Sequence, residues 1–298
     1  MASRPIFAVL SGAPYRAQYT VEFDWNSGLS VSQKQKNVKA LHEAFTERYP
    51  EKKVLEISSK SMQEGGAALS AFNLKKFVPS LGRSVPVEMV YHAGKVFRNG
   101  GPYTDLLDGT PREAKKDDRL KNSGAIVGFR YEGRDFPTRP QSAFYDYLYV
   151  NALLENEDLA KIVLQYDAFT DIEFNPQKSI SCQAKAAALF VSLTRLGLIE
   201  KVREFDDFLG LIEKKPETAA RPSAGVPKPV QKEPAAPKEV PGITVGSVIV
   251  HRVWQEGTVV SVNGGAVRVN FASVGEKTLG MSWILDNCEI AGQGRTET

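Results

Sequence analysis

The chain has little from which to build a disulfide framework or a metal site. Its 298 residues include only two cysteines, Cys182 and Cys288, and three histidines, His42, His92 and His251, all far apart. Spacing offers neither a CxxC pair nor a clustered set of zinc ligands, so neither a metal nor another cofactor is expected. No apolar run approaches the roughly 20 residues that cross a bilayer. The opening MASRPIFAVLSGAP lacks the basic start and long apolar core of a secretory signal; no membrane association and a cytoplasmic location are expected. Charge of one sign is also lacking. The 38 basic and 35 acidic residues leave a net charge of +3, too mild to imply nucleic-acid binding by itself, so any such role must rest on a site.

What is present is an ordinary globular composition, 42% hydrophobic and 24% charged, in a chain long enough for one sizeable core and a smaller module. From Glu213 the composition changes. EKKPETAARPSAGVPKPVQKEPAAPKEVPG holds seven of the seventeen prolines and no aromatic residue, and such a segment cannot bury enough apolar surface to offset its ordering entropy. Residues 213–241 are therefore read as a linker between units at 1–212 and 242–298.

The first unit alternates strand-like and helix-like segments, which predicts an α+β fold, mainly helical with a small sheet. IFAVL, YTVEFDW and VLEIS have strand character, and Ser30 to Tyr49 has helical spacing with Val38, Leu41 and Phe45 inward. In TPREAKKDDRLKNSG, Thr110 is an N-cap, Pro111 the first helical residue, Glu113 the capping-box partner and Gly124 a stop. AIVGFRYEGRDF reads as a hairpin turning at Glu132 and Gly133. Helices are expected at 142–154, 158–166 and 179–196. The second unit, with SVIVHRVW, EGTVVSVNGGAVRVNFA and WILDN, reads as a small SH3-like or Tudor-like β-barrel with a turn at Asn263 to Gly265.

One stretch combines apolar character with a polar stripe. If VPVEMVYHAGKVF is a helix, Glu88, Tyr91, His92 and Lys95 share a face at i, i+3, i+4 and i+7, opposite Val87, Met89, Val90, Val96 and Phe97. Such a stripe is most often solvated surface. Gly94, costly by about 1 kcal/mol inside a helix, argues instead for a close approach by backbone or ligand. The glycines Gly100 and Gly101 that follow offer backbone N–H groups to a phosphate or ribose. Asp171 and Glu173 in FTDIEF are read on one side of a strand, either as an acid/base pair or as solvated carboxylates. Lys115, Arg119 and Lys121 lie along one predicted helix. Arg119 suits a phosphate, or pairing with Glu113 or Asp118.

LSAFN, VEMVYHAGKVF, AKKDDRLKNSG, FYDYLYVNAL and FTDIEFNPQKSISCQAKAAALFVSL, in this order, resemble the NADAR family. The likeness covers about Pro5 to Ile212. LEISSKS, GGPYTDL and DIEFNP resemble the branch acting as antitoxin to DarT-type DNA ADP-ribosyltransferases. The resemblance implies an N-glycosidase that removes ADP-ribose from guanine in DNA, with ADP-ribosylated DNA, ADP-ribose and a cognate toxin as partners. It implies catalytic roles for Glu88, Lys95 and Asp171. It implies substrate contacts for Ser70, Phe72, Asn73, Tyr91, His92, Gly100, Gly101, Lys115, Arg119, Asp146, Tyr147, Glu173 and Gln183. Met89, His92 and Tyr147 depart from the family's usual histidine, glutamine and tryptophan, and a W-G after Asp171 is missing.

Cleavage at ribose C1″ requires stabilising a cationic sugar, protonating the leaving nitrogen and supplying a nucleophile. Glu88 could do the first or move the proton, and Lys95 could act as a cation or as a Schiff-base amine. A non-enzymatic binder of the modified DNA or of the toxin, and a glycosidase acting on riboflavin-pathway intermediates, are the competing readings. The C-terminal unit resembles the Tudor-like tails of superfamily-one helicases, which implies docking of a protein partner, with Trp254 and Trp283 as candidate contact residues.

Overall fold

Alternation in the first strand decides how the larger unit is layered. In β1 (Ala2–Val9), Ile6 and Ala8 are buried toward one side and Phe7 toward the other, as successive residues of a strand must point to opposite faces. Both faces are therefore covered. The computed structural model describes residues 1–213, 243–251, 254–263, 266–280, 284 and 288–290, in two units divided between Pro222 and Ser223.

β2 (Arg16–Phe23) pairs antiparallel with β1 at all eight positions. α1 (Val31–Arg48) starts at Ser30, whose hydroxyl accepts from Gln33 N, and lays Val38, Leu41 and Phe45 over the Ile6 face. β3 (Val54–Glu56), the hairpin β4 (Lys75–Val78) and β5 (Arg83–Pro86), then α2 (Val87–Ala93) and β6 (Lys95–Phe97) follow. Next come α3 (Pro111–Lys116), α4 (Arg119–Asn122), β7 (Ile126–Tyr131), β8 (Arg134–Phe136), α5 (Ala143–Leu154), α6 (Glu157–Val163), β9 (Ala168–Thr170), α7 (Gln183–Arg195) and α8 (Phe205–Ile212). β9 enters the first sheet late, antiparallel to β1 and parallel to β3, giving the order β2-β1-β9-β3. α5 and α7 are buried on nearly all sides, as helices that are apolar all round must be, and they fill the Phe7 side with Phe144, Leu148, Leu189 and Phe190.

Three expected elements differ. The helix expected over Val85–Phe97 is a strand end, a two-turn helix and a new strand. Gly94 ends α2, because its N–H still reaches Val90 O while its own carbonyl accepts from Arg130 N of β7 at 2.7 Å. A Cβ there would meet Arg130 O at 2.9 Å. The basic helix after Thr110 has the expected capping box, but it breaks at Asp117 into α3 and α4. Asp171 and Glu173 lie beyond β9 in a turn, with Glu173 N donating to Asp171 Oδ1; they are not strand neighbours.

The second unit holds β10 (Val248–His251), β11 (Gln255–Asn263), β12 (Ala266–Phe271), β13 (Gly275–Gly280) and β14 (Cys288–Ile290). They form an antiparallel sheet in the order β13-β12-β11-β10-β14 over Ile249, Val259, Val269 and Phe271. β13 and β14 stand at its two ends among the described residues, so the expected closed barrel is not found there. Trp254 packs edge-on against Phe271 and beside His251, a core contact. Trp283, residues 264–265 of the expected turn, residues 214–241 of the expected linker and residue 242 lie outside the described residues.

Candidate active site

The beginning of α2 is held by the turn LSAFN. No side chain caps this helix. Instead Ala71 O accepts from Glu88 N and Leu74 O from Val87 N, each at 2.9 Å, which satisfies N–H groups that a helix start leaves open. The turn is itself clamped by Gln183. Its amide oxygen accepts from Ala71 N at 2.7 Å and Ser70 Oγ at 3.4 Å, and its nitrogen donates to Ile57 O and Asp171 Oδ2. Ser70 and Gln183, expected to touch substrate, are buried supports. Asn73 bonds Ala67 O within the same turn.

On this support stands a chain of four charged or polar groups. Lys115 Nζ lies 2.9 Å from Glu88 Oε1. The same oxygen is 3.2 Å from His92 Nε2, and His92 Nδ1 is 2.9 Å from Lys95 Nζ. The lysine can only donate, so His92 accepts at Nδ1 and donates its Nε2–H to Glu88. Because Gly94 turns the chain into β6, Lys95 meets His92 from a strand; the stripe expected on one helix is assembled from two elements, with Lys115 supplied by α3.

Burial alone would raise the Glu88 carboxyl, but His92 and Lys115 outweigh it and hold its pKa at about 2. Glu88 is thus an anion throughout the working pH range. Burial lowers His92, which is neutral. Burial also brings Lys95 down to about 8, against the pull of Glu88, so an appreciable fraction of the amine is unprotonated near neutral pH. Its Nζ sits 4.5 Å from the Tyr91 ring centroid, and Lys115 Nζ sits 4.9 Å from that of Phe72. Tyr91, whose hydroxyl meets Ser181 Oγ at 3.1 Å, also lines a cavity of about 270 Å³ that opens to solvent.

Other expected site residues have different occupations. Arg119 chelates Asp105 at 2.6 and 3.2 Å and also binds Asp117; neither Glu113 nor Asp118 is its partner, and its fork is filled by carboxylates. Tyr147 donates to Arg203 O and packs among Phe136, Phe205 and Phe208, away from a substrate-stacking role. Asp146 is buried against Arg16 at 2.9 Å and Ser142 at 3.1 Å. Gly101 has φ +79°, and a Cβ would strike Lys95 O at 2.4 Å. Gly100 in turn pairs its carbonyl with Phe97 N. Both glycines serve close backbone packing behind Lys95. Glu173 is exposed, 3.7 Å from Lys34.

Asp171 belongs to a second buried cluster that the sequence reading missed. Burial, reinforced by Glu56, raises Asp171 well above the usual carboxylate range. Burial likewise raises Glu56, whose Oε1 accepts from Ile172 N and whose Oε2 is 2.6 Å from Thr170 Oγ1. Thr170 Oγ1 in turn meets His42 Nε2 at 2.7 Å, and burial lowers His42 to about 4. Thr170 donates its hydroxyl to Glu56 Oε2, which leaves its oxygen to accept from the Nε2–H of a neutral His42. The available signal was a glutamate inside the apolar run VLEI. Among the described residues no group of three or more His, Cys, Asp or Glu could hold a metal ion, and no helix is long and apolar enough to cross a membrane.

Residues 2–222 match the family model of the DarT1-associated NADAR antitoxins. No curated protein matches the chain.

Proposed function

The chain belongs to the DarT1-associated NADAR antitoxin family, and on that premise we propose that it is an N-glycosidase that removes ADP-ribose from guanine bases of DNA, reversing a DarT-type toxin. The observation that carries this reading is the continuous chain Lys115–Glu88–His92–Lys95. A purely binding surface needs neither a buried permanent carboxylate nor an amine brought to about pKa 8.

Glu88, held anionic, faces the positive charge that develops at C1″ and stabilises it. Lys95 acts as the nucleophilic amine. It transfers its proton to His92 Nδ1, where the imidazolium is stabilised by Glu88; that proton passes to the ribose ring oxygen as the C1″–O bond opens to an iminium on the guanine nitrogen, and the free amine then adds to C1″. The proton on the added lysine nitrogen moves to the guanine nitrogen, the C1″–N bond to guanine breaks, and guanine leaves with its amino group restored while a protonated Schiff base on Lys95 remains. Water hydrolyses that imine, returning the amine and releasing ADP-ribose, so the net reaction consumes one water. Lys115 holds Glu88 ionised and is exposed enough to meet a phosphate of the substrate.

The test is incubation of guanine-ADP-ribosylated single-stranded DNA with the protein, following adduct loss by gel shift and ADP-ribose by mass spectrometry. Release by the natural protein and none by Lys95→Ala is the expected result. Retained protection of cells by a Glu88→Gln, Lys95→Ala double variant would instead favour a binder that sequesters adduct or toxin.

A further inference from the structure

The cavity that Tyr91 lines does not include Lys95, and the proposed chemistry leaves it unused. Its floor is aromatic, made by Tyr91, Phe129 and Tyr145, with Tyr91 and Phe129 stacked at 5.7 Å. Two isoleucines stand at its walls with much of their surface in solvent, Ile126 39% and Ile180 55% exposed. Isolated exposed apolar residues are ordinary, but two on opposite chain segments lining one aromatic-floored cavity form a slot for a flat, apolar-faced group. At about 270 Å³ it falls just under the roughly 300–1,000 Å³ that encloses drug-sized ligands, room for one ring system. The lip carries Arg139, an exposed cation with no carboxylate within ion-pair distance among the described residues, in contrast to Arg119, Arg130 and Arg134, which are all paired. An unspent cation beside an apolar slot matches a ring joined to a phosphate. Tyr91 ties the slot to the amine, because the ring that lines it is the ring over which Lys95 Nζ lies.

We propose that this cavity binds the purine ring of a nucleotide, with Arg139 on the adjoining phosphate and Tyr91 linking the cavity to the amine of Lys95. The assignment rests on the proposed N-glycosidase reading and extends it to substrate recognition. Two purines could be the occupant, the adenine of ADP-ribose and the modified guanine of DNA. The slot distinguishes neither by shape, since both present the same bicyclic face.

The test uses the full chain and the variants Ile180→Glu and Arg139→Ala. Both residues are exposed, so folding is not at stake, and neither belongs to the Lys95 cluster. Affinity is read by calorimetry with ADP-ribose, AMP and ribose 5-phosphate, and KM and kcat by release of ADP-ribose from the DNA adduct. If adenine occupies the slot, AMP competes with ADP-ribose, ribose 5-phosphate does not, and Ile180→Glu weakens ADP-ribose binding about tenfold or more. If guanine occupies it, ADP-ribose affinity is unchanged while KM for the adduct rises about tenfold at constant kcat. Unchanged affinity and unchanged KM in both variants, with release intact, would overturn the slot and leave the glycosidase standing. Absence of release by the natural protein, with AMP still bound and displaced by Ile180→Glu, would remove the glycosidase and leave the slot. Neither release nor any purine binding would overturn both.

Discussion

Two buried carboxylate clusters lie in the larger unit and are driven in opposite directions. Glu88 and Glu56 are both almost fully buried, yet Glu88 is held at about pKa 2 and Glu56 is raised. Desolvation acts on both alike, so neighbours decide. Glu88 faces Lys115 and His92; Glu56 faces the hydroxyls of Thr170 and Ser58, the backbone amide of Ile172 and the carboxylate of Glu173, with no ion-pair partner among the described residues. Identical side chains at similar depth are thus pushed apart, one carboxyl down to a fixed anion and the other up. Only the first suits a sugar that becomes cationic, the role proposed for the Glu88 cluster. Asp171, expected on the resemblance to be catalytic, is assigned with Glu56 to support, since it grips the Gln183 clamp on which α2 rests.

The sharpest way to break this contrast is at Lys95. Lys95→Ala removes the amine and is expected to lower the rate of ADP-ribose release by about 10³-fold or more, measured in single turnover. Glu88→Gln keeps the shape and loses the charge, and is expected to cost about 10²–10³-fold in kcat. The same variant tests the ionisation. A carboxyl with a depressed folded pKa contributes stability that is complete above about pH 4.5 and lost as pH falls through about 2. Acid titration of the natural protein should therefore show a loss of up to about 3 kcal/mol across that window, absent in Glu88→Gln.

On the other side of the comparison, Glu56→Gln should leave release within about fivefold. The Gln amide keeps an oxygen to accept from Ile172 N, and the Thr170 hydroxyl, which donates to Glu56 Oε2, can turn to accept from the amide nitrogen. Because a raised carboxyl pKa makes stability fall as pH rises above about 4.5, this variant should lose less stability than the natural protein between pH 4 and pH 8, read by denaturant unfolding. The smallest effect is expected from Tyr147→Phe, which loses one bond to Arg203 O among packed aromatics, about 1 kcal/mol of stability with unaltered KM.

How much was legible follows the same division. Periodicity located α1, α5 and α7 and the β7–β8 hairpin because each is a single uninterrupted local pattern. It extended α2 through Lys95, since Gly94's contact with Arg130 O is a long-range approach that local spacing does not encode. Glu88, His92 and Lys95 were found together because they are near in sequence. Arg119's partner Asp105 and the Glu56–Thr170–His42 chain were missed because they join segments 14 to 128 residues apart. Motif likeness marked Tyr147 and Gln183 without revealing that one packs a core and the other props a turn.

The most direct single measurement is reductive trapping during turnover. Guanine-ADP-ribosylated DNA is mixed with the protein in the presence of borohydride, and the peptide bearing Lys95 is examined by mass spectrometry. An ADP-ribosyl adduct reduced onto Lys95, formed at a rate that rises with pH toward about 8, is the expected result. Complete release of ADP-ribose with Lys95 unmodified would show that the lysine acts only as a cation and would contradict the assignment of the amine as nucleophile.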